Sequence, residues 1–249
     1  MSSRLILALA LTSTATTFAA DLPAVPDKPI GVKKEQLFSD DFERADLGPA
    51  WGKNVVPTFT LENGAMKGTQ TRVDTPAQDG KPAIVGHQAV NGIEIPTKDS
   101  IVELKFRFAG STAVSVEFDD RKFTGSHYGH ICYARVTPKS VIIVDQKEGN
   151  MRNEIMEMAK DPTKKEERAK LLAGKSATFP VEIEPEKWHT LSVETVNDAM
   201  RASVDGKPVA FLRSPGIAHP TKSKIEFGCA GKDGYFDDIK VWNAEAVKP

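Results

Sequence analysis

The sequence predicts an all-β domain made of two packed antiparallel sheets, and three observations predict it. Short runs alternate apolar with polar residues, as where Val102, Leu104, Phe106 and Phe108 are set between Glu103, Lys105 and Arg107. A period of two gives each strand one dry face and one wet face. The pairs Asn63-Gly64 and Asp205-Gly206 fall between such runs and supply the positive backbone angles of tight hairpin turns. About a dozen candidate strands follow one another, more than a single twisted sheet carries without curling or splitting.

Taken in chain order, residues 1–19 read as a signal peptide. Arg4 starts it, Leu5 to Leu11 is its apolar core, and Thr17-Phe18-Ala19 places small residues at the cleavage subsites, with Ala20 as the second choice. No later run approaches the ~20 apolar residues of a transmembrane helix, so the mature protein is expected to be exported to the periplasm, envelope or medium. Residues 20–36, with Pro23, Pro26 and Pro29, read as an extended lead-in. Folding is expected to start near Leu37. Val114, Val116 and Phe118, then Leu191 and Val193, then Met200, Ala202 and Val204 repeat the strand pattern. Residues 147–175 break it: Met151, Ile155 and Met158 at helical spacing, Asp161-Pro162 and a Thr163 to Glu166 capping box predict a short helical insertion around 150–174. Such a segment either covers a sheet edge or forms a lid.

Lys and Arg number 33 against 34 Asp and Glu, a net charge of -1. No global field recruits nucleic acid or an anionic membrane. Cys132 and Cys229 are the two cysteines. In an oxidising compartment they either form a disulfide or stay as separate buried thiols. No nucleophile elbow, phosphate-binding glycine loop or paired-cysteine metal motif is present.

Three stretches carry a resemblance: Leu37-Phe38-Ser39-Asp40-Asp41-Phe42 with Trp51 downstream, the hairpin from Phe59 to Gly68, and Gly234-Tyr235-Phe236-Asp237-Asp238-Ile239-Lys240-Val241-Trp242. Together they resemble the concanavalin A-like lectin/glucanase superfamily. With Trp188-His189-Thr190-Leu191-Ser192-Val193 and the Val204 to Val209 hairpin, the likeness is closest to secreted bacterial proteins of the 3-keto-disaccharide hydrolase type. It covers Leu37 to Asn243, leaving 244–249 as a tail, and implies a jelly roll whose concave sheet binds carbohydrate. It also implies a structural calcium, with Asp237 at the position of the calcium-binding aspartate of laminarinase-like glucanases and carbonyls near Phe38 to Asp41 as further ligands. The alternative is that Asp237-Asp238 marks a β-bulge that turns both Phe236 and Ile239 inward.

Chemistry at the centre of the chain follows from residue types. Retaining glycoside hydrolysis needs two carboxyl groups about 5–5.5 Å apart. Glu117 and Asp119 share a strand face, but Arg121 and Lys122 stand where a second glutamate is needed, which disfavours the two-glutamate route. Glu117, Asp119 and His130 are the candidate catalytic groups, and His127, Tyr128, Tyr133, Arg135 and Asp145 the candidate binding groups. The His127-Tyr128-Gly129-His130 run forms a metal site only if Gly129 turns His127 round. Trp51, Trp188 and Trp242 fall in scaffold motifs and are expected to be buried. Carbohydrate binding on the concave sheet leads the functional reading. A hydrolase of oxidised disaccharides and an envelope interaction domain are the alternatives.

Overall fold

The computed structural model describes residues 22–52, 58–78 and 81–248; the signal peptide expected over 1–19 lies outside them. Among the described residues twelve strands follow in order: β1 (Gly31–Asp40), β2 (Phe59–Glu62), β3 (Ala65–Thr69), β4 (Ala89–Ile93), β5 (Ser100–Asp119), β6 (His130–Val136), β7 (Ser140–Asp145), β8 (Ser176–Pro180), β9 (His189–Val196), β10 (Ala199–Val204), β11 (Lys207–Arg213) and β12 (Lys224–Ala246). All belong to one antiparallel ladder. The layering comes from β5 and β12, of 20 and 23 residues, which pair with each other along most of their length. Their register slips where Ala230, Gly231 and Asp233 oppose Ala113, Ser111 and Gly110, and there both strands turn a corner. The first half of β5 and the second half of β12 join β9, β10 and β11 on one side and β1, β3 and β2 on the other. The other two halves join β6, β7 and β8 on one side and β4 on the other. The two expected sheets are thus two layers of one folded ladder.

Alternation then decides the core. Val102, Leu104, Phe106 and Phe108 from one layer and Val114, Val116 and Phe118 from the other are buried, together with Phe227 and Phe236 of β12. The Phe227 and Phe236 rings meet edge to face with centroids 6.1 Å apart. Full burial of each such side chain contributes ~1.5–3 kcal/mol. The two predicted hairpins form: Asn63-Gly64 and Asp205-Gly206 all have positive φ.

Several expectations are corrected. The ladder begins at Gly31, inside the expected lead-in, and ends at Ala246, because these two residues pair with each other. The lead-in before it is docked: Arg201 donates to the carbonyls of Pro26 and Asp27, and its partner Glu194 accepts from the amides of Ile30 and Gly31. The insertion forms as α1 (Asn153–Met158), a 3₁₀ turn over Pro162–Lys164 and α2 (Lys165–Leu172). Its cap is Asp161, which accepts from the Thr163 amide at 2.9 Å, because Pro162 already starts the helical turn. Cys132 and Cys229 are free thiols, both buried. Cys229 pairs with Val114 on one side of β5, and Cys132 with Phe118 on the other. Four residues of rise, about 13 Å, separate those positions, beyond the reach of a disulfide.

Candidate functional site

The outer face of the second layer carries a polar hollow of about 530 Å³. Strand parity builds it. With Val114, Val116 and Phe118 turned into the core, Ser115, Glu117 and Asp119 of β5 face outward. Register places Glu226 of β12 directly opposite Glu117 on one side, and Tyr133 of β6 opposite it on the other. His130 opens β6 opposite Asp119.

Asp119 is buried beneath the surface of the hollow and its Oδ1 lies 2.9 Å from His130 Nδ1, while His130 lines the hollow. Glu226 accepts from Arg121 at 2.7 Å and from Lys224 at 2.6 Å. Arg121 also lies 3.4 Å from Asp119 Oδ2, an oxygen that receives no hydrogen bond. Glu117 accepts from Ser115 Oγ at 2.8 Å and from the Gln88 amide. The other end of the same amide accepts from Arg135 at 3.1 Å. Gln88 reaches Glu117 only by crossing β12 over Gly228. A Cβ there would come within 2.2 Å of Ser115 Oγ and 2.9 Å of Gln88 Nε2.

Charge is distributed unevenly over these groups. Burial raises the Asp119 pKa to about 6, the hydrogen bond from His130 opposes the rise, and the neighbouring Glu226 adds to it. Glu226 goes the other way: burial raises its pKa, but hydrogen bonding from Asp119 and Lys224 and the Arg121 charge outweigh burial, leaving it below its ordinary value. Of the two carboxyl groups, Asp119 is therefore the one more readily protonated. Burial lowers the His130 pKa, but the hydrogen bond to Asp119 and the fields of Asp119, Glu117 and Glu226 outweigh it, so the imidazolium is favoured. An acid, a base and an oriented imidazole thus meet in one depression.

Of the residues singled out in the sequence, Glu117, His130, Tyr128, Tyr133 and Arg135 line this hollow, and Asp119 supports it from below. Tyr128, at φ +49 in the 3₁₀ turn His127–Gly129, stands at the rim and is 74% exposed. His127 packs against it, with ring centroids 4.3 Å apart. Asp145 is placed elsewhere. It is buried and accepts from Ser214 Oγ, the Gly216 amide and the Glu148 amide, a structural junction rather than a binding group.

Asp237 stands where the register of β12 against β5 slips. Its Oδ1 accepts from the Asp238 amide, its Oδ2 lies 3.8 Å from Lys105 Nζ, and that same ammonium pairs with Asp238. A lysine thus supplies the positive charge there. Among the described residues no group of three or more His, Cys, Asp and Glu is arranged to hold a metal. The bulge forms as expected: Asp238 has φ +47, register slips between Asp237 and Lys240, and Phe236 and Ile239 are both buried.

Glu226, Gln88 and Arg121 are the members that sequence reasoning missed. The second carboxylate comes from the neighbouring strand, not from a position four residues further along β5. The alternation Ile225-Glu226-Phe227 was the available signal for an outward Glu226.

The architecture has known counterparts. The catalytic domain of an endo-1,3-β-glucanase from Thermotoga petrophila superposes with a TM-score of 0.53 at 14% identity, covering 87% of this chain and 100% of that one. An endo-β-1,3-glucanase from Pyrococcus furiosus gives 0.55 at 8% identity, covering 88% and 100%. A non-specific endo-β-1,3(4)-glucanase of family GH16 gives 0.56 at 9% identity, covering 89% and 96%. The fold is a concanavalin A-like jelly roll. No protein-family model matches the chain, and no curated protein matches it in sequence. What this jelly roll shares with those enzymes is architecture.

Proposed function

We propose that this jelly roll recognises carbohydrate in the hollow of its second layer and hydrolyses a glycosidic bond there, acting after export from the cytoplasm. The observation that carries the reading is the convergence of Glu117, Glu226 and the Asp119-oriented His130, from three neighbouring strands, on one depression. An aromatic platform, the usual mark of a pure binder, is lacking there; Tyr128 and Tyr133 are the only aromatic rings among its lining residues apart from histidines.

In this reading the His130 imidazolium gives its proton to the leaving oxygen as the bond to the sugar carbon breaks. Glu117 takes a proton from a water whose oxygen adds to that carbon, and the proton returns to His130, so that the net reaction consumes one water. Glu226 lies beside the site as an anion that favours positive charge on the sugar in the transition state. Asp119 is a positioning residue that fixes the imidazole. The motif likeness to 3-keto-disaccharide hydrolases supports oxidised disaccharides as the first substrates to try.

The test is turnover of a panel of disaccharides, their 3-keto derivatives and β-glucan oligosaccharides. Glu117→Gln and His130→Gln are each expected to lower the rate by ~10²–10³ with the far-UV circular dichroism spectrum unchanged. Unchanged turnover in both variants would remove the acid–base assignment. Glu226 is held by both Arg121 and Lys224, and this ion-paired state favours a second reading, binding without catalysis. That reading is supported if saccharides bind, no member of the panel is turned over, and Arg135→Ala abolishes the binding.

A further inference from the structure

The expectation that all three tryptophans are buried holds for Trp51 and fails for Trp242, which is half-buried, and most clearly for Trp188, which is 43% exposed. It stands on the outer face of the first layer, away from the hollow. Register explains its neighbours. Arg107 of β5 pairs with Tyr235 of β12, Tyr235 with Lys67 of β3, and Lys67 with Thr60 of β2, so four outward side chains form a row across four strands. At ~4.8 Å per strand the row is about 14 Å long, and Trp188 extends it at the Arg107 end.

The row alternates cations with rings. The Arg107 guanidinium lies 4.4 Å from the Tyr235 ring centroid and 5.5 Å from that of Trp188. Trp188 and Tyr235 meet edge to face with centroids 6.4 Å apart. Lys67 lies 5.9 Å from the Tyr235 ring, and the Tyr235 hydroxyl donates to Glu62 at 2.6 Å. The two cations differ in one respect. Lys67 pairs with Asp233 at 3.0 Å and with Glu62 at 3.1 Å, whereas Arg107 has no carboxylate partner among the described residues and its Nε is buried without an acceptor.

We propose that this row is a second carbohydrate site, one that takes pyranose rings bearing an anionic substituent. An exposed indole offers a flat apolar face on which a sugar ring stacks. A guanidinium held between two aromatic rings has its orientation set in advance, and its planar fork of N–H donors matches a carboxylate or a sulfate. The surroundings are polar, with Lys67 and Glu62 in reach of sugar hydroxyls and the buried Tyr235 ring beneath them as a support. The surface is open and elongated, which suits a polymer rather than a small molecule. The proposal is independent of catalysis in the hollow.

Affinity electrophoresis of the full chain through gels containing polygalacturonate, a sulfated galactan or neutral laminarin tests it. The first two gels distinguish the carboxylate from the sulfate as the natural partner, and retardation in either supports the site. Trp188→Ala and Arg107→Gln are each expected to weaken that retardation about tenfold, the scale of one aromatic or cation–aromatic contact. Glu226→Gln, which alters only the hollow, is expected to leave it in place. Retardation by laminarin alone, equal retardation of wild type and both row variants, or none by either acidic polymer would overturn the proposal. Tryptophan fluorescence guards against misfolding: a Trp188→Ala protein that keeps the buried-indole emission of Trp51 has folded.

Discussion

Asp119 shows how one buried side chain sets the behaviour of its neighbours. The ordinary pKa of its carboxyl is 3.8, and burial moves it to about 6. An unfolded chain therefore gives up this proton at lower pH than the folded one, so the Asp119 contribution to stability falls as pH rises from 3.8 towards 6. His130 runs in the opposite sense to a lone buried imidazole. Its folded value is raised above 6.5, so its contribution is fully present below 6.5 and is lost as pH rises through the folded value. Asp119→Asn is expected to lower the His130 pKa, observed by NMR titration of the imidazole protons. Denaturant melts at pH 4 and pH 7 are expected to show a smaller loss of stability between those values in the variant than in wild type. An unmoved His130 titration would contradict the assigned hydrogen bond. None of this was legible in the sequence, where Glu117 and Asp119 look alike. Only the strand pairing reveals that one lines the hollow and the other lies beneath it.

Strands and their crossings explain which parts of the site could be read in advance. Parity along β5 was legible, because Val114, Val116 and Phe118 declare the inner face and thereby assign Glu117 to the outer one. The partners across the ladder were not, since the Glu117 and Glu226 pairing depends on the register of two strands far apart in the chain. The helical insertion was legible from its period, and the residues leading into it turned out to brace the rim: His127 donates its amide to the Met151 carbonyl at 2.8 Å, and Asn153 Nδ2 donates to the Thr124 carbonyl at 2.7 Å. Gly228 was illegible as a site residue, because its role is to be absent from the path of Gln88. Gly228→Ala is expected to displace the Gln88 amide and lower turnover of any accepted saccharide about tenfold, matching Gln88→Ala, with a stability cost of ~1–3 kcal/mol from overpacking. Full activity in Gly228→Ala would detach Gln88 from the mechanism.

At the level of the whole molecule, composition, alternation and turn pairs were enough to give the layered β architecture, because burial of one strand face is a local pattern. The closing of the ladder into a single folded ribbon was not, because it rests on bends at Gly110 and Gly231 whose positive φ is visible only in the fold. The same layering keeps the thiols apart. Burial raises both Cys132 and Cys229 to about 12. The native protein is expected to react with no equivalent of a thiol reagent and the denatured protein with two, while reductant leaves Tm unchanged; a Tm that falls on reduction would restore the disulfide. The two bent strands carry one last implication. Arg107 and Glu117 lie on β5, and Tyr235 and Glu226 on β12, so opposite surfaces of the protein are stitched by the same pair of threads. Neither surface can slide relative to the other without unzipping that seam. A polymer gripped on the back would be held at a constant offset from whatever occupies the front, as a workpiece is held by a clamp while the tool acts on its far side.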